Sequence, residues 1–452
     1  MKRILLIGGG AREHALGLAL KNGKELISLF VWAGNRNPGL TSLATGMRIG
    51  SMSDVQGMCR YAQEIEADFV VVGPEGPLAL GLVDLLENAG IPAIGPQQEL
   101  AQLESSKTFT RELLQEFSIP GSPAFRSFHN ESGLAAFLDS LPGGFVIKPD
   151  GLTGGKGVKV MGDHFNNQEE GWQMIRELLA EGSQVLIEEK LIGQEFSLMS
   201  FCDGEHFLHM PAVQDHKRAC DGDSGPNTGG MGSYSMADGA LPFLRPADID
   251  EAQAINEAVG LALHKKCGKP YRGILYGGFM ATKDGIRLIE YNARLGDPEA
   301  MNVLSLLPGK EEEGSFLQIC EAMLSGRLNE VNTRWKPLAT VCKYAVPDGY
   351  PGSPLKDLPI DVSEVNQEKV RLFYASVEEN NGQLLLAGSR AVAVLAMHEN
   401  VHEAARLAEE EISKIRGPVF HRRDIGGDAL MAERIRMMEL LRKQEGGLSS
   451  DS

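Results

Sequence analysis

Cysteine is scarce and scattered in this chain. Six cysteines, Cys59, Cys202, Cys220, Cys267, Cys320 and Cys342, stand singly in 452 residues with no C-x-x-C pair. That argues against a disulfide framework and a thiolate zinc site, and fits free thiols in a reducing cytosol. Long apolar runs are also missing. No segment approaches the ~20 residues of a membrane span. The leading run Ile4–Ile7 stops at Gly8, too short for a signal peptide. A cytoplasmic protein with no membrane partner is expected. Positive charge is in deficit: 44 Lys and Arg against 61 Asp and Glu leave a net charge of −17, which argues against nucleic acid as a partner. No internal repeat and no Ser-His-Asp or Cys-His arrangement is evident.

What is present is ordinary globular composition, with 42% hydrophobic and 23% charged residues. The length suggests about three domains. Apolar strands at 3–7, 26–32, Phe69–Val72 and Ala93-Ile94 alternate with helices from Ala11 to about Leu20 and over Leu78–Asn88. That order predicts a doubly wound parallel sheet, whose ligands bind at the carboxyl ends of strands. One helix is expected near Leu100–Phe117. The middle of the chain reads as α+β with antiparallel hairpins: strands at Phe145–Lys148, Val185–Glu189, Glu195–Cys202, Gly273–Thr282 and Arg287–Asn292, and a helix over 250–266. A smaller α+β unit follows, with strands at Thr340–Tyr344, Val370–Tyr374 and Val392–Met397 and a helix over Val401–Ile415. The expected domains are 1–102, 103–331 with a lid subdomain about 124–196, and 332–427, then a helical and finally disordered tail over 428–452.

Four segments carry chemistry. Gly8-Gly-Gly-Ala-Arg-Glu-His14 follows the first strand and opens a helix, where free backbone N–H groups bind phosphate and Arg12 adds a bidentate donor. A dinucleotide site fits poorly, because Glu13 occupies the third glycine position and the second strand ends at Ala33-Gly34-Asn35 without an acidic residue. Lys148 precedes the glycine loop Gly151–Gly157, which contains Lys156. The spacing is not that of a P-loop, yet a glycine hairpin flanked by lysines can fold over a triphosphate. Asp215-His-Lys-Arg218 leads into five glycines between residues 221 and 232, a polar and close-approaching backbone. Glu290 and Asn292 lie two apart on a strand and face one side, as hard ligands for Mg²⁺ shared with phosphate oxygens. Arg294 continues that face. Each segment also has a plain reading, as a tight turn, a surface hairpin or a salt-bridged strand end.

Taken in order, these segments resemble the ATP-grasp ligases and, within them, the glycinamide ribonucleotide synthetase (phosphoribosylamine–glycine ligase) family. The resemblance rests on Gly8–Leu16, Val72–Leu78, Ala101–Lys107, Lys148–Val158, Gln214–Arg218, Asp221–Tyr234 and Glu290–Glu299, with Phe420–Gly426 as a closing segment. It departs from the family's pattern at Pro149, Thr153, Ala293 and Leu295, and Gly309–Gly314 is atypical. No departure removes a charged group from a candidate site.

The resemblance implies an N-terminal α/β domain, an ATP-grasp domain with a flexible lid and a small C-terminal α+β domain. The implied reaction joins glycine to 5-phosphoribosylamine with ATP, through a glycyl phosphate, in purine synthesis. ATP is then the cofactor, with Mg²⁺ or Mn²⁺. By the same resemblance Lys107 and Lys148 contact ATP phosphates, and Gly154, Gly155, Lys156 and Gly157 cover them. Glu188, Lys190 and Glu195 hold adenine and ribose. Glu290 and Asn292 bind the metal. Asp215, Lys217 and Arg294 hold glycine and the reacting centre. Gly9, Gly10, Arg12, Glu13, Glu75 and Asp297 hold phosphoribosylamine. A monomer is expected, with a weak dimer as the alternative. Two other readings stay open: a sister ATP-grasp ligase or carboxylase, and a catalytically silent ATP- or metabolite-binding protein.

Overall fold

The computed structural model describes residues 1–152, 157–310 and 312–443. Gly154, Gly155 and Lys156 of the expected phosphate loop lie outside the described residues. The first five strands, Lys2–Ile7, Ile27–Ala33, Gly46–Ile49, Phe69–Val72 and Ala93–Ile94, form a parallel sheet in the spatial order third, second, first, fourth, fifth. Successive side chains of the first strand serve opposite faces. Ile4 and Leu6 join one buried cluster, Leu5 and Ile7 another. Both faces are therefore covered, as an all-parallel sheet requires. The strand order reverses between the first and fourth strands, and the turns after both, Gly8–Gly10 and Gly73-Pro74, lie side by side at that crevice.

Two helices expected to be continuous are broken, each for a local reason. Leu78–Asn88 is split into Glu75–Ala79 and Leu82–Asn88, because Gly81 adopts φ +78, a left-handed conformation. Leu100–Phe117 is split into Gln98–Ser105 and Lys107–Glu116. Ser106 is extended at φ −137, and its Oγ accepts the Phe109 N–H at 3.1 Å, a side-chain N-cap that starts a new helix.

The region expected as a lid is an antiparallel sheet ordered Phe125–Phe128, Val185–Glu189, Phe145–Pro149, Lys159–Val160. It has its own small core, which includes Phe128, Phe145, Ile147, Phe165, Ile175 and Ile187. The strand Phe125–Phe128 was not expected from sequence. Next to the lid lies a second antiparallel sheet, Phe207–His209, Gln194–Cys202, Gly273–Thr282, Gly285–Asn292. It packs against the helix Pro246–Cys267, which buries Ala252, Ile255, Val259 and Leu263.

The C-terminal unit is built on Ala339–Pro347, Val392–His398 and Val370–Tyr374. Gln214–Asp215 and Gly232–Ser235 extend the same sheet. The strand that carries Asp215 is thus held by the C-terminal unit, although more than a hundred residues separate it from Ala339 in sequence. The expected glycine loop is partly a hairpin, Arg218–Cys220 against Ser224–Asn227. A separate three-stranded sheet, Lys356–Ile360, Gln383–Ala387, Val377–Asn380, was also missed. No helix of the described residues is long and apolar enough to cross a membrane.

Candidate active site

The helix Ala11–Lys21 begins at Gly10 with no side chain to cap it. Glu13 caps it instead: its Oε2 accepts the Gly10 N–H at 2.7 Å, and its Oε1 accepts from Arg12 Nε at 2.6 Å. Gly8, at φ +120, is required here, because a Cβ there would come within 2.5 Å of Glu13 Cγ. A Cβ on Gly73 would likewise overlap Glu13. The carboxylate expected to hold substrate is therefore 3% exposed and turned onto its own turn, where it sets Arg12 and Gly10. Gly9 is tied by its carbonyl to Asn37 Nδ2 at 2.9 Å.

Arg294 meets Arg12 at one carbonyl, that of Leu295, to which Arg294 Nη1 donates at 3.2 Å. Its guanidinium meets Glu75 Oε2 at 3.1 Å and Glu104 Oε1 at 2.8 Å, while Arg12 Nη1 donates to the carbonyl of Leu295 at 3.3 Å. Burial would raise the Glu75 carboxyl, but Arg294 and Arg12 outweigh it and hold it down at about 2. Burial dominates at Glu104 and pushes that carboxyl up.

Lys148 ends the lid strand Phe145–Pro149 and is 4% exposed. Its Nζ lies 2.7 Å from Glu188 Oε2, and Arg111 Nε lies 2.6 Å from Glu188 Oε1. Glu188 is thus a buried counter-ion of Lys148 and Arg111. The adenine and ribose role read from sequence does not suit a carboxylate with both oxygens taken. A bulge in the pairing of Gly273–Thr282 with Gly285–Asn292 leaves Ile289 without an opposite residue. Its carbonyl accepts from both Lys148 Nζ and Arg111 Nη2 at 2.9 Å.

Lys107 stands at the start of its helix because of the Ser106 break. Its N–H donates to Asp150 Oδ1 at 2.6 Å and its Nζ to the Gly151 carbonyl at 2.7 Å. Asp150 also accepts from Ser106 Oγ and the Thr108 N–H, so the residues leading into the expected phosphate loop are fastened to a helix N-terminus. Gly157 resumes the described chain after that loop. Lys190 Nζ donates to the Met161 carbonyl at 2.7 Å, inside the lid.

Glu290 and Asn292 face the same side, paired to Gly278 and Tyr276. Burial pushes the Glu290 carboxyl up, yet Lys217, Lys148, Lys107 and Arg294 together hold it below its ordinary range. The structure thus gathers the lysines predicted on three separate segments, and Arg294 with them, around one carboxylate. Among the described residues neither Glu290 nor Asn292 has a side-chain hydrogen-bond or ion-pair partner, and no cluster of three His, Cys, Asp or Glu residues forms a metal cage. Two hard oxygen ligands without partners suit an ion that completes its shell with phosphate oxygens and water.

Lys217 Nζ meets Glu195 Oε2 at 3.2 Å, and the neighbouring Asp215 helps raise the lysine well above its usual value. Asp215 itself is pushed up by burial. Asp297 is held by Tyr344 OH at 2.6 Å and Arg390 Nη2 at 3.2 Å. Arg390 Nη1 also donates to the carbonyls of Gly229 and Gly230, at 2.6 and 3.1 Å. Glu299 is 3% exposed and accepts from Tyr276 OH at 2.7 Å; burial, then Asp215, raises its carboxyl to about 7. Arg111, Tyr276, Tyr344 and Arg390 were not found from sequence. Glu104 and Glu299 stood inside quoted motifs, and Gly388-Ser389-Arg390 before a strand was the only local signal for Arg390.

Three consecutive family models cover most of the chain. Residues 2–104 match the N domain of phosphoribosylglycinamide synthetase, 105–300 its ATP-grasp (A) domain and 340–428 its C domain. The chain belongs to the phosphoribosylglycinamide synthetase family. A phosphoribosylamine–glycine ligase from Methanococcus maripaludis is 44% identical over 451 residues, which span 98% of this chain and all of the relative. Phosphoribosylglycinamide synthetase architecture extends to solved structures. A phosphoribosylamine–glycine ligase from Thermotoga maritima superposes with a TM-score of 0.77 at 29% identity, covering 94% of this chain and all of that one. The ADP complex of an N5-carboxyaminoimidazole ribonucleotide synthetase shares the fold, with a TM-score of 0.62 at 17% identity over 91% of this chain and 96% of that one.

Proposed function

We propose that this protein joins glycine to 5-phosphoribosylamine at the expense of ATP, giving glycinamide ribonucleotide, ADP and phosphate in purine biosynthesis. Family membership over nearly the whole chain supports the reaction. The observation that carries the site is the convergence of Lys107, Lys148, Lys217 and Arg294 on Glu290. Such a group of cations beside an acidic ligand suits a triphosphate and its metal, and positions charge where phosphoryl transfer develops it.

Lys107 and Lys148 hold ATP phosphates under the loop that ends at Gly157. Glu188 acts through Lys148, while Lys190 and Glu195 serve the nucleoside. Glu290 and Asn292 hold Mg²⁺ or Mn²⁺, which neutralises phosphate charge when bound. Asp215, Lys217 and Arg294 orient the glycine carboxylate. An oxygen of that carboxylate takes the γ-phosphoryl group and ADP leaves. The amine of phosphoribosylamine then attacks the carbonyl carbon, loses a proton and expels phosphate. Gly9, Gly10, Arg12, Glu75 and Asp297 bind the phosphoribosyl part, with Glu13 positioning Arg12. Enclosure by the lid keeps water from the acyl phosphate. The working form is a cytoplasmic monomer.

The test is ADP release with Mg²⁺-ATP, glycine and fresh phosphoribosylamine, omitting each in turn. Release that needs both cosubstrates, with a product of the mass of glycinamide ribonucleotide, is expected. Turnover without glycine points to a sister ligase, and ATP binding without turnover to a silent binding protein.

A further inference from the structure

The family models end at residue 428, yet the helix Asp428–Lys443 continues the chain and is docked. Leu430, Met431 and Met438 form its buried face. It is fastened by two arginines. Arg442 Nη2 meets Asp248 Oδ2 at 2.7 Å, at the head of the helix Pro246–Cys267. Arg434 Nη1 donates to Gln194 Oε1 at 2.8 Å, and its Nη2 meets Asp223 Oδ2 at 2.7 Å.

Asp223 is the turn residue of the hairpin Arg218–Asn227, at φ +50, a conformation that a side chain other than glycine adopts at a cost. Its other oxygen is held by Arg422 Nη1 at 2.8 Å. Arg422 also donates to the Arg218 carbonyl at 3.1 Å and pairs with Asp424 at 2.7 Å, and Asp424 Oδ2 accepts the Gly222 N–H at 2.8 Å. The Arg423 N–H reaches Asp221 Oδ1 at 2.9 Å. The hairpin tip is therefore held from outside by C-terminal residues. At its base, the Thr228 N–H and Oγ1 both donate to the Lys217 carbonyl, at 2.7 and 2.8 Å. Just beyond the base lies His216, 1% exposed, with no hydrogen-bond partner for either ring nitrogen among the described residues.

We infer that the C-terminal helix is a brace for the substrate loop, and that Arg434 is a positioning residue which, through Asp223 and the hairpin, steadies Lys217 at the glycine subsite beside Asp215, whose own strand is held by the C-terminal sheet. The argument is mechanical. The hairpin strand Ser224–Asn227 is exposed and has no core of its own, so its position depends on polar anchors: the ion pairs at its tip and, on the partner strand, Arg218, which pairs with Asp163 at 2.7 Å and donates to the Gly225 carbonyl at 3.0 Å. Arg434 is 13% and Asp223 35% exposed at the side chain, so the pair is partly shielded from the screening that weakens surface pairs. The rest of the network contacts Asp223 from the C-terminal domain alone. Arg434 is what ties it to the central sheet, through Gln194, the residue next to Glu195.

The kinetic half of this inference rests on the glycine-ligase reading, and the structural half does not. The test compares Arg434→Ala with Arg442→Ala, which loosens the same helix at its other end. Amide hydrogen exchange across 218–227 in the free protein should rise at least about tenfold in Arg434→Ala and stay unchanged in Arg442→Ala. The KM for glycine should rise between about tenfold and a hundredfold in Arg434→Ala, as expected of a misplaced binding group. The KM for ATP should hold, and Arg434→Lys should fall between the two. Unchanged hairpin exchange in Arg434→Ala overturns the brace whatever the reaction. Equal kinetic losses in both variants overturn the positioning role. If Arg434→Ala does not fold, Arg434→Lys and Arg434→Gln carry the same comparison.

Discussion

Lys148 and Glu188 meet at 2.7 Å with both side chains at or below 5% exposure, and Arg111 closes the other side of the carboxylate at 2.6 Å. One carboxylate between two cations leaves a net positive charge at the base of the lid, and Lys148 Nζ has one proton directed at Ile289 O. The pair therefore aims an ammonium whose charge is only half compensated. A phosphate group brought to it completes the compensation.

Glu188→Ala should cost about 3–5 kcal/mol of stability, because two buried cations lose their shared partner. Urea unfolding measures this. Glu188→Gln keeps one acceptor and should cost less, while still raising the KM for ATP through a misaimed Lys148. A Glu188→Ala protein as stable as the parent would show that the triad is solvated in solution.

Glu290→Gln should remove the carboxylate on which four cations act and which is proposed as a metal ligand. Turnover should fall by about a hundredfold or more. Binding of Mn²⁺ in the presence of ADP, followed by electron paramagnetic resonance, should weaken in parallel without any need for turnover. Asn292→Ala should have the smaller effect, since it removes a neutral ligand. Equal Mn²⁺ affinity in Glu290→Gln and the parent would place the metal elsewhere.

The parallel sheet and the central hairpin were legible in the sequence because continuous apolar strands such as Phe69–Val72 and Gly273–Thr282 are bounded by turn residues. The motif residues were legible because glycine and charge cluster locally. The break at Ser106 was not, because a capping serine inside an amphipathic run leaves the periodicity intact, and the acceptor that fixes it, Asp150, is 44 residues away. The role of Glu188 was hidden for the same reason. Its partner Arg111 is 77 residues distant, and only the packed structure shows that the carboxylate has no free oxygen. Arg390 and Tyr344 belong to the C-terminal domain, where nothing in the local sequence points to Asp297.

His14 predicts an acid-labile contact between the first and last domains. Its Nδ1 accepts the Tyr374 N–H at 3.1 Å, its ring stacks on Tyr374, and burial lowers its pKa from 6.5 to about 4. The unfolded chain binds a proton at a pH where the folded ring stays neutral, so protons favour unfolding. This contribution is full above about pH 6.5 and is lost as the pH falls towards 4, amounting to about 3 kcal/mol at most. The difference in unfolding free energy between the parent and His14→Gln, measured against pH, should shrink over that window. A difference independent of pH would mean that the ring is not held neutral.

Glu299 should act with the opposite sign. Its carboxyl is raised from 4.5 to about 7 by burial and by Asp215, so the folded protein keeps a proton that the unfolded chain has already released. Stability is therefore greatest below about pH 4.5 as far as this group is concerned, and declines as the pH rises to about 7, where Asp215 and Glu299 both carry charge in a dry site. Glu299→Gln preserves an acceptor for Tyr276 OH and cannot ionise. Relative to the parent it should gain stability between about pH 4.5 and 7 and no further above that. Thermal unfolding of both proteins across that range makes the comparison, and because Asp215 shares the site it reads the titration of the pair. A gain that continues to grow above pH 8 would overturn this, because it would mean that Asp215 and Glu299 together hold their shared proton well beyond the pH at which the parent is expected to release it.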